Sequence, residues 1–77
     1  MRIGNCSGSR IRARRKAQNM AQVELAAALA VEHELHAITQ ADISKIEQNQ
    51  RSLKDYELRA IAHVLNTSMD ELAGDGY

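Results

Sequence analysis

One short stretch near the middle of the chain, residues 37–49, carries the side chains best suited to recognising another molecule. If it is helical, Ile43 and Ile46 point to the same side. The opposite side and its flank carry small, amide and cationic residues without a carboxylate: Gln40, Ala41, Ser44, Lys45 and Gln48. Amides and lysines hydrogen-bond to base edges, and small residues permit close approach. The pattern therefore predicts a surface for a DNA groove, and a short solvated helix is the alternative interpretation.

The ends of this stretch carry helix signals. Thr39 is a candidate N-cap, and the acidic Asp42 follows three residues later in the first turn. Asn49 can adopt the left-handed conformation that ends a helix. A helix over residues 39–48 follows, about two and a half turns long. Glu47 falls nearer the isoleucine side, where a buried carboxylate requires a partner.

The chain resembles the Cro/repressor-type (XRE-like) helix-turn-helix family in an ordered set of segments: Gln22 to Ala26, Thr39-Gln40 and Ile43 to Glu47. The resemblance extends from about Ser9 to Leu72. It implies an all-α, five-helix, lambda-repressor-like helix-turn-helix domain. It also implies a small transcriptional regulator, a repressor, that binds double-stranded DNA with the helix over residues 39–48 in the major groove.

The resemblance also assigns roles to individual residues. Arg15 occupies a basic position that in relatives pairs with the glutamate here at Glu47, so a structural ion pair is expected. Gln22 corresponds to a phosphate-gripping amide at the start of helix two, and Gln40 to a base-reading amide at the start of helix three. The full set of DNA-binding candidates is Gln22, Thr39, Gln40, Ala41, Ser44, Lys45, Asn49, Arg51 and Lys54, of which the last three are candidate phosphate contacts.

Charge is distributed unevenly although the formal net charge is zero. Residues 1–23 hold six basic groups and no acid, and the remaining 54 residues hold four basic groups and all ten acids. This asymmetry creates a positive end that attracts phosphates. Within it, Arg12, Arg14 and Lys16 are candidate phosphate contacts, but a solvated helix face is the preferred interpretation for each one singly.

Composition indicates one small helical domain. The 77 residues include no Phe, Trp or Pro, so Leu, Ile, Val, Ala and Met must form the core, which suits helices packed on helices. We expect a flexible arm over residues 1–8, the domain over residues 9–73 and a frayed tail over residues 74–77. The single cysteine, Cys6, fits a reducing cytoplasm, and no apolar run is long enough to span a membrane. The family resemblance implies a cytoplasmic protein of a prokaryote or a phage.

The other helices are predicted from periodicity and end signals. The first starts after Ser7 or Ser9 and runs to about Gln18; the second runs from about Gln22 to Leu35, with a loop over Ala30–Glu34 as the alternative. A fourth helix over Asp55–Leu65 has a buried stripe of Leu58, Ile61, Ala62 and Leu65. The capping-box pattern from Ser68 to Glu71 opens a short fifth helix. Three asparagines, Asn19, Asn49 and Asn66, are expected in the left-handed conformation after helices.

Catalytic and metal chemistry find little support in the sequence. No nucleophile–base pair or phosphate loop occurs, so an enzyme is not expected, and no cofactor is implied. His33 and His36 resemble half a zinc site, but no second Cys/His pair completes four ligands, so two solvated histidines are expected. The expected partners are a palindromic or pseudo-palindromic DNA operator and a second copy of the chain. The alternative function is a protein-interaction module, such as an antitoxin that binds a toxin, or an adaptor.

Overall fold

The computed structural model describes residues 4–73. Within them it contains five α-helices and no strand: α1 Gly4–Ala17, α2 Gln22–His33, α3 Gln40–Glu47, α4 Asp55–Val64 and α5 Met69–Ala73. Helix α1 packs on α3 and α5, and α2 packs on α3 and α4. The expected all-α, five-helix fold is therefore confirmed. None of these helices combines the length and apolar character needed to cross a membrane.

The core is entirely aliphatic, as the composition requires. Each of the five helices contributes at least one fully buried leucine or isoleucine. The fully buried set is Ile11, Leu25, Leu29, Ile43, Ile46, Leu58, Ile61, Leu72 and, just after α4, Leu65. Burying one such side chain stabilises the fold by about 1.5–3 kcal/mol. The predicted stripe of α4 is confirmed, because all four of its residues are buried.

Three asparagines end helices in the left-handed conformation, as predicted. The φ angles of Asn19, Asn49 and Asn66 are 56°, 60° and 56°. Asparagine tolerates this region better than other side-chain-bearing residues because its short amide can hydrogen-bond locally. These positions set the boundaries after α1, α3 and α4.

Helix α1 begins earlier than the sequence suggested. Residues 4–8, which the sequence predicts as part of a flexible arm over residues 1–8, belong to α1 in the structure. Residues 1–3 and the predicted tail over 74–77 lie outside the described residues. Gly8 explains the difference. A Cβ atom there would lie 2.5 Å from the carbonyl oxygen of Ile46, so the missing side chain lets α1 pack directly on the end of α3.

Helix α2 is long but ends at His33, two residues before the predicted end at Leu35. Glu34 adopts the left-handed conformation with φ 57°, and its N–H and that of Leu35 both donate to the Leu29 carbonyl. This turn places Leu35 against the core. The prediction placed Leu35 on the same side by continuing the helix. The alternative loop over Ala30–Glu34 is also wrong, since α2 includes Ala30 to His33.

The start of α5 shows half of the predicted capping box. The Ser68 hydroxyl accepts a hydrogen bond from the Glu71 N–H at 3.1 Å. The Glu71 carboxylate does not return to Ser68; it accepts from the Thr67 hydroxyl at 2.7 Å and pairs with Arg14 at 3.5 Å. Glu71 thereby links α5 to α1 rather than completing its own cap.

Candidate nucleic-acid interface

The N-terminus of α3 is fixed by a reciprocal cap. The Asp42 N–H donates to the Thr39 hydroxyl at 3.4 Å, and the Thr39 N–H donates to the Asp42 carboxylate at 3.0 Å. Hydrogen bonds from the Thr39 backbone and hydroxyl hold the pKa of Asp42 below its ordinary value. The carboxylate is therefore charged at neutral pH, where it complements the positive end of the helix. The predicted cap at Thr39 is confirmed.

The inner side of α3 is anchored by apolar packing and an ion pair. Ile43 and Ile46 are fully buried. Beside them, Arg15 Nε donates to Glu47 Oε2 at 2.7 Å and Arg15 Nη2 donates to Oε1 at 3.1 Å. The hydrogen bonds to Glu47 raise the pKa of Arg15, and Arg15 Nη1 also donates to the Met20 carbonyl at 2.7 Å. The structure thus joins the two residues that the family resemblance pairs.

Gln22 extends this network from the first residue of α2. Its Nε2 donates to Glu47 Oε1 at 3.1 Å, so one carboxylate receives hydrogen bonds from both α1 and α2. Around this point lies a cleft of about 330 Å³ that opens between α1, α2 and α3; its walls include Arg12, Gln22, Ser44 and Gln48. Gln22, the predicted phosphate contact, is therefore half-buried and lies beside the outer side of α3.

The outer side of α3 faces solvent. Gln40, Ala41 and Lys45 are exposed. Ser44 is half-buried, and its hydroxyl accepts a hydrogen bond from Gln48 Nε2 at 2.9 Å. The structure places the predicted base-reading residues together on one surface, with Gln48 as an additional polar neighbour.

The cations of α1 separate into two groups. Arg12 and Lys16 are exposed and line a second cleft that also borders Glu47, next to the outer side of α3. Arg14 lies elsewhere, paired with Glu71 of α5. From the sequence, each of these cations taken singly is predicted to lie on a solvated helix face. Arg10 and Arg14 have the same four-residue spacing, so spacing alone does not distinguish Arg12 and Lys16. Their position beside Glu47 in the folded chain does.

Arg51, a predicted phosphate contact, lies between two carboxylates. Its Nη1 and Nη2 donate to the two oxygens of Glu57 at 3.3 and 3.0 Å, and its Nε lies 3.9 Å from Asp42. Burial tends to raise the pKa of Glu57, but hydrogen bonds from Arg51 and from the Lys54 N–H outweigh it, and the pKa falls below its ordinary value. The charge of this predicted phosphate contact is therefore balanced by carboxylates that are charged at neutral pH.

The two remaining candidates after α3, Asn49 and Lys54, are both exposed but differ in their contacts. Lys54 is exposed, with its Nζ 5.9 Å from the centre of the Tyr56 ring. The side-chain oxygen of Asn49 accepts a hydrogen bond from the Gly8 N–H at 3.3 Å, which links the end of α3 to α1. Lys54 therefore presents an exposed charge, whereas Asn49 also joins two helices.

Comparison with known proteins agrees with this geometry. A helix-turn-helix family model matches residues 11–72, from α1 to α5. The comparisons with curated proteins and with solved structures found no match. The family match covers most of the chain and includes the capped α3, the buried ion pair and the exposed polar surface described above. The chain belongs to the XRE-type helix-turn-helix family of DNA-binding regulators.

Proposed function

We propose that the protein binds specific sequences of double-stranded DNA with α3 in the major groove. The observation that carries this proposal is the division of α3 into two sides. Buried isoleucines and the Arg15–Glu47 pair hold its inner side, while Gln40, Ala41 and Lys45 are exposed on the other. A helix held in this way presents its side chains to a groove with little further ordering.

The exposed side chains suit particular base edges. Gln40 can form a pair of hydrogen bonds with adenine N6 and N7, and Lys45 can donate to guanine O6 or N7. Ala41 can contact a thymine methyl group, and the Ser44 hydroxyl can donate or accept. Among residues 4–73, the side chains of Gln40 and Lys45 form no hydrogen bond. Both are therefore available to hydrogen-bond with bases.

Contacts with the phosphate backbone of the DNA fix the register of such a complex without reading the base sequence. Gln22 lies at the start of α2, where the positive helix end favours a phosphate. Thr39, Asn49 and Lys54 lie at the ends of α3 and in the loop after it. Arg12 and Lys16 add charge along α1. Because Glu57 balances the charge of Arg51, we assign Arg51 a structural role and replace it in the phosphate set by these two α1 cations.

A homodimer and repression complete the proposed function. One domain of this size contacts few base pairs, and two-fold related copies double the site, which predicts a palindromic or pseudo-palindromic operator. A dimer bound across a promoter would prevent transcription from starting, which favours repression. The family, the single cysteine and the chemistry of the surface support a place in the cytoplasm of a prokaryote or of a phage-infected cell.

A protein-interaction module is the second candidate. Ten acidic residues balance ten basic ones in the chain, so electrostatic attraction to DNA is modest overall. On α2, the apolar Val31 is 81% exposed. These observations favour a protein partner, such as a toxin, that contacts the α2 surface instead of, or together with, DNA.

The test starts with selection of bound duplexes from a random pool. Gln40→Ala and Lys45→Ala should each weaken binding to the selected duplex by about 1–3 kcal/mol and binding to a scrambled duplex much less. The matched controls are Gln50→Ala, an exposed glutamine outside α3, and Lys54→Ala, which should weaken both duplexes alike.

Two results would contradict the proposal. If Gln40→Ala weakens the selected and scrambled duplexes equally, α3 does not read the sequence. If the pool yields no preferred duplex and no variant changes any affinity, the protein-interaction function becomes the better account.

A further inference from the structure

Helices α2 and α4 bring two histidines and a glutamate together outside the proposed DNA interface. His33 Nε2 lies 3.0 Å from His63 Nδ1, and the two rings meet edge to face with centroids 5.0 Å apart. The Glu32 carboxylate lies 3.9 Å from the same His63 nitrogen. One potential ligand atom from each of the three residues therefore lies within 4.8 Å of the others. The partner of His33 is His63, thirty residues away, rather than the neighbouring His36.

These distances suit one small cation held by three ligands. Two nitrogens bound to a tetrahedral zinc ion at 2.0–2.1 Å would be about 3.3 Å apart, close to the separation of the two ring nitrogens. The carboxylate oxygen lies 3.9 Å from His63 Nδ1 and within 4.8 Å of the His33 nitrogen, so it would have to move toward both rings by about 0.5–1.5 Å to reach the spacing of zinc ligands. The Glu32 side chain is half exposed and thus free to adjust. Imidazole nitrogen and carboxylate oxygen form a ligand set that zinc accepts.

We propose that Glu32, His33 and His63 form a binding site for a zinc ion. The carboxylate and two neutral imidazoles would supply three ligands, and a water molecule would complete the tetrahedron. The ion would connect the last turn of α2 to α4. It would also replace the hydrogen bond between the two rings, which requires one of them to act as acceptor.

The site has a consequence for the end of α2. This last turn carries the exposed Val31 and ends in the left-handed Glu34, so few apolar contacts hold it. Zinc bound to Glu32 and His33 would anchor the turn to α4. The three ligands lie together only in the folded chain, so zinc would bind the folded chain in preference to the unfolded chain. Added zinc would therefore raise the midpoint temperature of unfolding.

Calorimetric titration of the metal-free full chain with zinc chloride tests the proposal, together with thermal unfolding with and without zinc. We expect one equivalent to bind and the unfolding midpoint to rise with zinc concentration. His33→Gln and His63→Gln should each weaken zinc binding at least about tenfold, since even the loss of groups that merely orient ligands has effects of this size. His36→Gln, which alters an exposed histidine outside the group, should leave zinc binding unchanged.

Further measurements separate this site from other binding. The unfolding midpoints of the variants without zinc show whether they fold. With cobalt in place of zinc, ligation by nitrogen and oxygen gives no sulfur-to-metal charge-transfer band, whereas binding at Cys6 would give one. The proposal is overturned if zinc does not bind stoichiometrically, if His36→Gln weakens binding as much as His63→Gln, or if that band appears. None of these results depends on DNA binding.

Discussion

Two arginine–glutamate pairs flank α3, and they differ in burial and in what they connect. In the pair between Arg15 and Glu47, the side chains are 9% and 3% exposed. In the pair between Arg51 and Glu57, they are 29% and 6% exposed. Each arginine donates to both oxygens of its glutamate. The first pair joins α1 to α3 across 32 residues, whereas the second spans six residues between a loop and the start of α4.

The difference shows that the same ionic chemistry can have two structural uses. We call Arg15–Glu47 the inner pair and Arg51–Glu57 the outer pair. Removing one member of the inner pair leaves a charge with little access to water, which is strongly unfavourable. The arginine of the outer pair remains partly hydrated when its partner is lost, so the loss should be smaller. The inner pair therefore sets where α3 lies, and the outer pair shapes the chain that follows it.

Glu47→Ala should have the largest effect on stability. It leaves Arg15 buried without its carboxylate and also removes the acceptor of Gln22, so we expect the free energy of unfolding to fall by about 3 kcal/mol. Urea denaturation of the variant and the wild type measures this. Glu47→Gln retains an acceptor of the same shape and should lose less. Equal midpoints for wild type and Glu47→Ala would show that the inner pair does not stabilise the fold.

Glu57→Ala should have an intermediate effect. It removes the partner of Arg51 and the acceptor of the Lys54 N–H, which caps α4 at 2.9 Å. We expect a loss of about 1–2 kcal/mol in the same denaturation experiment. Arg51→Ala leaves the Glu57 carboxylate, 6% exposed, with the Lys54 N–H as a remaining donor, so we expect a loss of similar size. A loss for Glu57→Ala as large as that for Glu47→Ala would remove the distinction between the two pairs.

Acid should weaken the Arg51–Glu57 pair and the cap of α3. The folded pKa of Glu57 lies below its ordinary value of 4.5, so its stabilisation is present above that value and is lost as pH falls through the lower folded pKa. The pKa of Asp42 is lowered in the same direction. Unfolding free energies measured from pH 6 down to about pH 3 should therefore fall less steeply for Glu57→Gln than for the wild type. Parallel curves would argue against this linkage.

The smallest effect should be that of Arg51 on DNA binding. Because Glu57 balances its charge, Arg51→Ala should alter the salt dependence of DNA affinity clearly less than Lys54→Ala, for which the slope should fall by about one. Affinities measured over a range of salt with a scrambled duplex provide the comparison. A full unit of change for Arg51→Ala would place Arg51 at a phosphate, as the sequence first suggested.

Local signals were sufficient to predict much of the fold. The Thr39 cap, the three left-handed asparagines and the stripe of α4 each depend on residues a few positions apart, whose conformational preferences act within one turn. The Arg15–Glu47 pair was predictable only through the family resemblance, because no spacing rule connects residues so far apart.

The missed features depend on contacts between distant segments. Residues 1–8 were predicted as a flexible arm, whereas the missing side chain of Gly8 allows the close packing of α1 on α3. Arg51 was placed by its position after α3, whereas its partner Glu57 comes from the first turn of α4. His33 was compared with its neighbour His36, while the fold brings His63 to it. In each case tertiary packing decided the outcome, and packing is not encoded in short-range spacing.

The two-sided construction of α3 has an evolutionary consequence. Its hold on the fold depends on Ile43, Ile46 and Glu47, whereas the exposed positions 40, 41 and 45 take no part in the core. Substitutions at exposed positions usually change stability by no more than about 0.5 kcal/mol. Duplicated copies of such a gene can therefore drift to new target sequences through a few substitutions in one eight-residue helix, without passing through unfolded intermediates.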